Sequence, residues 1–174
     1  MREASAADAD AVRAVALASW RATYRGLIPR RAIERFLERA YTAERVALRI
    51  ERHDVLVAGR EPVRVRELGD RGRSAPARAD VAVEAFAECA PEDGHLQLIA
   101  IYALPRARGR GLGGALLDAL LERHPGLDVS ADVLIGNARG EPFYVARGFE
   151  PGEQIEEELA GVPVAERRWW LRRT

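Results

Sequence analysis

The chain has 174 residues, 48% of them hydrophobic and 31% charged, which suits one soluble globular domain with a sizeable core. Formal net charge is zero, with 27 residues of each sign, so no global field draws the protein to nucleic acid or an anionic membrane. Lysine is absent, which excludes catalysis through an internal lysine, and the single cysteine, Cys89, excludes an intrachain disulfide and fits a reducing cytoplasm.

The opening "MREASAADAD" is polar and acidic, unlike a signal peptide, and no apolar run approaches the ~18 residues of a membrane span, so a cytoplasmic protein is expected. After Ser5, the spacing of Ala9, Val12, Leu17 and Trp20 predicts an amphipathic helix with Ser5 or Asp8 as its cap. "YRGLIP" breaks the pattern, and "RRAIERFLERA" and "TAERVALRIER" resume helical spacing. "DVLVAG" reads as a strand, and "PVRVREL" alternates like an exposed or edge strand. Gly69 to Asp80 is rich in Gly, Pro, Ser and Arg without periodicity, and reads as a flexible loop or insertion within one domain spanning 1–174. "DVAVEAFAECAP" and "HLQLIAIYALP" read as strands, the second ending at Pro105. "GGALLDALLERH" is a helix, "LDVSADVLI" a strand, and "NARGEPFYVARGF" a short helix closed at Gly148. The tail reads as two strands around the Ala160-Gly161 turn. Helices first, then strands with two late helices, define a mixed α/β (α+β) domain.

"LPRARGRGLGGALL", Leu104 to Leu117, joins a strand to a helix through four glycines. The first amides of a helix lack intrahelical acceptors and carry partial positive charge, and glycines let backbone approach a phosphate closely. Arg108 and Arg110 add charge-assisted donors. Two phosphate loops are spelled at once. Gly109, Gly111 and Gly114 give G-x-G-x-x-G, the dinucleotide fingerprint, with Asp132 at about the expected ~20-residue distance for a ribose hydroxyl. Arg108, Gly111 and Gly113 give R-x-x-G-x-G, an acyl-CoA loop. Pro-Arg-Ala-Arg between strand and glycines, the late position in the chain and the helix-rich start all count against the dinucleotide reading.

The stretch "IYALPRARGRGLGGALL" resembles the acetyl-CoA motif of the GNAT N-acetyltransferase family: strand, proline, R/Q-x-x-G-x-G/A, helix. "NARGEPFYVARGF" resembles a second family segment, N-x-x-A-x-x-F-Y-x-x-x-G-F, supplying Asn137, Phe143, Tyr144, Gly148 and Phe149, with Gly140 where alanine is usual. The resemblance covers most of the chain and fits worst from Val63 to Pro91. It implies a mixed, mostly antiparallel sheet with helices on both sides, splayed beside Ile101 to Ala103. It also implies direct acetyl transfer from acetyl-CoA to a primary amine of a small molecule or peptide, without a metal. Backbone of Ile101, Tyr102 and Ala103 would pair with the pantetheine arm. Amides of Gly109, Arg110, Gly111, Leu112, Gly113 and Gly114 would hold the pyrophosphate, and Asn137 would bind from the next helix. Tyr144 would be the general acid, protonated at neutral pH because a phenol titrates near ~10.

The base is less readily assigned. Many family members place Glu on the strand before the loop; Gln97 stands there in this chain and cannot take a proton, so it is a substrate-side residue at most. Asp132 is the candidate base, with His95, Glu84 and Glu88 as further options. The missing glutamate also leaves room for a non-catalytic acyl-CoA-binding regulator. Trp20, Tyr24 and the "YRGLIP" turn are expected on the acceptor side. Cys89 reads as a small buried hydrophobe, His53 and His124 as surface positions, and no cluster shows metal-ligand spacing. One indole of Trp169-Trp170 should face the core and the other the opposite side, where it could serve a homodimer or a substrate wall. The arginine-rich stretch Arg60 to Arg78 reads as a solvated loop or a site for an acidic acceptor.

Overall fold

The computed structural model describes residues 1–60 and 82–173. The edge strand expected over 62–68 and the loop expected over 69–80 lie outside the described residues. Among the described residues seven strands form one sheet: β1 (Arg2–Glu3), β2 (Asp54–Arg60), β3 (Ala82–Glu92), β4 (His95–Ala103), β5 (Val129–Leu134), β6 (Glu150–Leu159) and β7 (Val162–Leu171). Their spatial order is β1-β2-β3-β4-β5-β7-β6. Every neighbouring pair is antiparallel except β4–β5, whose strands run parallel.

Alternation along the strands supplies two cores, because successive side chains leave opposite faces of the sheet. Val55, Val57, Phe86, Ala100 and Leu134 pack beneath α1 (Ala9–Thr23), α2 (Arg30–Ala40) and α3 (Ala43–Arg52). Leu56, Ala85, Ala87, Leu96, Val129 and Trp169 pack with α4 (Leu112–Arg123) and α5 (Gly140–Val145) on the other face. Helices thus flank both faces, as expected. The five α-helices and six of the strands stand where the sequence periods place them, whereas β1, of two residues, is too short to show a period and the two 3-10 turns carry no periodic signal.

The N-terminal cap is a carboxylate cluster of a specific kind. Asp8 accepts both guanidinium branches of Arg2 at 2.7 Å, the Ser5 amide at 2.8 Å and the Ser5 hydroxyl at 3.0 Å. Ser5 heads a single 3-10 turn, Ala6–Asp8, that runs straight into α1. The cap pins β1 to the start of α1, and the Arg2 hydrogen bonds hold the Asp8 carboxyl down at about 2 despite its burial. The folded value lies below the ordinary value of 3.8, so the cap contributes stability above that pH and loses it as pH falls towards 2. Asp8→Asn should lower stability by roughly 2 kcal/mol at neutral pH. In paired thermal melts the gap to wild type should close as pH falls through that window; a pH-independent gap would contradict this account.

Candidate active site

The site begins with a mismatch between two ladders. On β4's antiparallel side Glu88 faces Ala100 and Cys89 faces Leu98, leaving Ile99 with no partner on β3. An extra residue of this kind bends the strand that carries it. On the parallel side β4 meets β5 only at Leu96–Val129 and Gln97–Ser130. Beyond Gln97 the strands part, while β5 continues along β7 to Leu134. One edge of Leu98–Ala103 therefore has no neighbouring strand from β5.

The chain leaves β4 through a 3-10 turn, Pro105–Ala107, and enters α4 at Gly111. Gly111 is the N-cap with φ +78°, a left-handed conformation that costs an L side chain roughly 1–2 kcal/mol. Arg108 fastens this loop to α1, donating to Thr23 Oγ1 at 2.9 Å and to Ser19 Oγ at 3.3 Å. The guanidinium of Arg110 turns to Glu84 at 2.8 Å, where it helps hold that carboxyl below its usual range.

Between the parted strands lies a cleft of about 400 Å³. Ile101, Tyr102 and Ala103 form one wall, Gly109 and Gly111 to Gly114 the floor, and Asn137, Phe143 and Tyr144 the opposite wall. Asn137 is buried and caps α5 locally, accepting the amides of Arg139 and Gly140 at 3.2 and 3.0 Å. A Cβ at Gly140 would meet Asn137 Nδ2 at 2.7 Å, which explains glycine where the motif usually has alanine. Arg139 and Arg147 also line the cleft and have no carboxylate partner among the described residues. Sequence reading passed over both, although they sit at fixed offsets from Asn137 and Tyr144.

Tyr144 packs edge-on against Phe143 and Phe149 and stacks on Trp169 at 6.5 Å between centroids. Its hydroxyl has no hydrogen-bond partner among the described residues. Burial, with Tyr24 and Asp132 nearby, pushes the phenol well above its ordinary value. The phenol is therefore protonated at neutral pH.

Asp132 lines the same cleft but is already engaged. Arg168 binds both its oxygens at 2.8 Å, and Gln97 Nε2 donates at 3.3 Å. A carboxylate so clamped positions its neighbours better than it accepts a proton. The other base options lie elsewhere. His95 bonds Ser130 at 2.9 Å, Glu84 meets Arg110, and Glu88 is buried between Arg49 and His53. None of these three lines the cleft.

A second cavity, about 310 Å³, opens on the α1–α3 face of the sheet. It shares Tyr24, Leu98, Ile99, Tyr102 and Asp132 with the first. Trp20 and Gln97 line it, as does Glu166 from β7, which sequence reading missed. Nothing in "VPVAERRWW" distinguishes that glutamate until β5 and β7 pair.

Two further expectations change. His53 and His124 are half-buried and bonded, to Glu88 at 2.6 Å and to Asp54 at 3.1 Å, because β2 and β3 gather residues far apart in sequence. Asp54, Cys89 and His124 place donor atoms within 4.8 Å of one another, a grouping that linear spacing could not reveal. Arg123 already holds Asp54 at 2.7 Å, and burial pushes the Cys89 thiol up to about 12, as suits a buried hydrophobe. Trp169 is buried, whereas Trp170 faces the other side against His95 and Arg172.

The profile of the acetyltransferase (GNAT) family matches residues 34–149, two thirds of the chain. Among solved structures, the chain is similar to PaiA N-acetyltransferase of Thermoplasma acidophilum in complex with coenzyme A, at 23% identity and a TM-score of 0.68, covering 95% of each chain. It is likewise similar to a GCN5-related N-acetyltransferase of Rhodopseudomonas palustris, at 19% identity and a TM-score of 0.71, covering 97% of this chain and 91% of that one. A ribosomal-protein-alanine N-acetyltransferase of Brucella melitensis aligns at 22% identity and a TM-score of 0.60, over 98% of both chains. Comparison with curated protein sequences finds no match. The chain belongs to the GNAT acetyltransferase family and is an acetyl-CoA-dependent acyltransferase. Among the described residues no helix is long and apolar enough to cross a membrane.

All four tyrosines, Tyr24, Tyr41, Tyr102 and Tyr144, are pushed upward by burial. Their folded values lie above the unfolded one, so their contribution to stability is present below about pH 10 and is lost as pH rises further. An alkaline titration followed by tyrosinate absorbance should show one cooperative step coinciding with unfolding. A gradual titration near pH ~10 in the folded protein would contradict the buried assignment.

Proposed function

We propose that the chain acts as a single N-acetyltransferase domain over 1–174 and moves an acetyl group directly from acetyl-CoA to a primary amine of a small molecule or peptide. The observation that carries this reading is the convergence of three features on one cleft: a stretch of β4 that β5 does not pair, a glycine-lined helix N-terminus and a protonated tyrosine without a hydrogen-bond partner among the described residues. Acetyl-CoA, when bound, supplies an activated thioester carbonyl.

The chain's own residues have separable tasks. The free amides of Gly109 to Gly114, at the positive end of α4, bind the pyrophosphate. Arg139 and Arg147 add charge for the remaining phosphate, with no acid competing for them among the described residues. Backbone of Ile101, Tyr102 and Ala103 donates and accepts as a strand edge does. Asn137 shapes the far wall by fixing the start of α5. Tyr144 Oη delivers a proton to the departing sulfur; burial keeps the phenol protonated at neutral pH, so the proton is there to give.

Tyr144→Phe removes only the hydroxyl from a well-packed ring. It should lower kcat by roughly 100-fold in a thiol-release assay. The CoA dissociation constant by calorimetry should stay within about twofold, because packing is retained. An unchanged kcat would remove Tyr144 from the acid role.

A further inference from the structure

We infer that the cavity on the α1–α3 face is the acceptor site, that it takes a small cationic amine with an apolar body, and that Glu166 holds the ammonium and accepts its proton. This rests on the acetyl-transfer reading above and narrows it.

The walls are aromatic. Trp20, Tyr24, Phe36, Tyr41 and Tyr102 line the cavity, with Trp20 tilted against Phe36 at 4.3 Å and against Tyr24 at 4.5 Å between centroids. Such faces favour an apolar body and attract a cation through their quadrupoles.

The charges decide which ligand fits. Three ionisable carboxylate or guanidinium groups line the cavity: Arg49, Asp132 and Glu166. Arg49 is cancelled by Glu88, which it binds through Nε at 2.7 Å and again through Nη2. Asp132 is cancelled by the two-pronged contact with Arg168. Glu166 forms no ion pair or hydrogen bond among the described residues. It therefore leaves one uncompensated negative charge in an aromatic box, which suits a monocation and repels an acidic acceptor. The volume, about 310 Å³, lies at the small end of ligand pockets and suits a compact amine rather than a peptide chain.

Register places the carboxylate at the sheet gap. Glu166 pairs with Leu134 and Arg168 with Asp132, so Glu166 and Asp132 project to the same face as the gap opens. The groups that act on Glu166 are Asp132 of β5, Glu157 of β6 and Arg168 of β7, with Tyr24, the residue that follows α1, nearby. Burial, then the like charges of Asp132 and Glu157, raise its carboxyl above the usual range, and Arg168 only partly opposes them. A carboxylate with raised proton affinity is a better match for an alkylammonium than an ordinary surface glutamate. It takes over the role that Gln97 cannot fill.

Proton bookkeeping closes. Glu166 takes one proton from the ammonium and passes it to water. The freed nitrogen forms the C–N bond as the C–S bond breaks. Tyr144 gives its proton to the sulfur, and the second N–H lost in forming the amide restores Tyr144.

The test uses the full chain as wild type, Glu166→Gln and Glu166→Asp, each checked for folding by circular dichroism. Phenylethylamine, 2-phenylethanol as its neutral counterpart, and a short peptide with a free N-terminus are the probes. Tryptophan fluorescence with CoA present should show phenylethylamine binding wild type, about tenfold or more weaker binding to Glu166→Gln, and no such difference for 2-phenylethanol. Thiol release with acetyl-CoA should favour phenylethylamine over the peptide. It should fall roughly 100-fold in Glu166→Gln, with partial recovery in Glu166→Asp and loss of the acidic limb of kcat/KM against pH only in the Gln variant. Turnover with Glu166→Gln matching wild type, or a preference for the peptide, overturns the inference while leaving acetyl transfer intact. Glu166-dependent binding without turnover of any amine supports the ammonium site and overturns the acetyl-transfer reading instead.

Discussion

The parting of β4 from β5 is the constraint on which the rest of this structure depends. One unmatched residue, Ile99, bends β4 just after its last contact with β5 at Gln97–Ser130. Elsewhere such a break in the middle of a sheet would leave backbone polar groups without partners at considerable cost. Here the break opens a passage between the two faces of the sheet. The loop, the α4 N-terminus and Tyr144 line the cavity on one side of that passage, proposed as the donor side, and Glu166 lines the cavity on the other.

Keeping the passage open requires rigid edges, and side-chain hydrogen bonds and ion pairs supply them. Arg108 ties the glycine loop to α1 through the hydroxyls of Ser19 and Thr23, Arg168 and Gln97 hold Asp132 at the gap, and Glu88 anchors Arg49 of α3. Asp132 and Arg49 each meet an opposite charge, so these two define geometry rather than perform chemistry. Among the described residues the side chains of Tyr144, Arg139 and Glu166 make no hydrogen bond or ion pair, that of Arg147 meets only the carbonyl and ring of Phe143, and all four line the cavities. The division between matched and unmatched polar groups separates scaffold from site more clearly than residue type does.

The helices and long strands were legible in the sequence because their apolar periods of 3.6 and 2 run for several turns or pairs. The glycine-lined turn into α4 was legible because the glycines and the helix start are adjacent in the chain. Asp132 was found by its place before Asn137, but only the structure reveals that Arg168, 36 positions later, occupies it. Arg110 read as a phosphate donor, yet its guanidinium faces Glu84. Glu166 was invisible for a related reason. Its role comes from the β5–β7 register and from what fails to pair with it, and neither is written locally. The Asp54, Cys89 and His124 grouping likewise exists only once β2 and β3 are side by side with the end of α4.

Amide hydrogen exchange with and without CoA tests the open strand edge most directly. The account predicts strong new protection confined to the free edge of Leu98–Ala103 and to the Gly109–Gly114 amides, with the β2–β3 ladder unchanged. Protection at the glycine loop without any along Leu98–Ala103, or protection spread evenly over the sheet, would contradict the claim that the gap between β4 and β5 is the donor site.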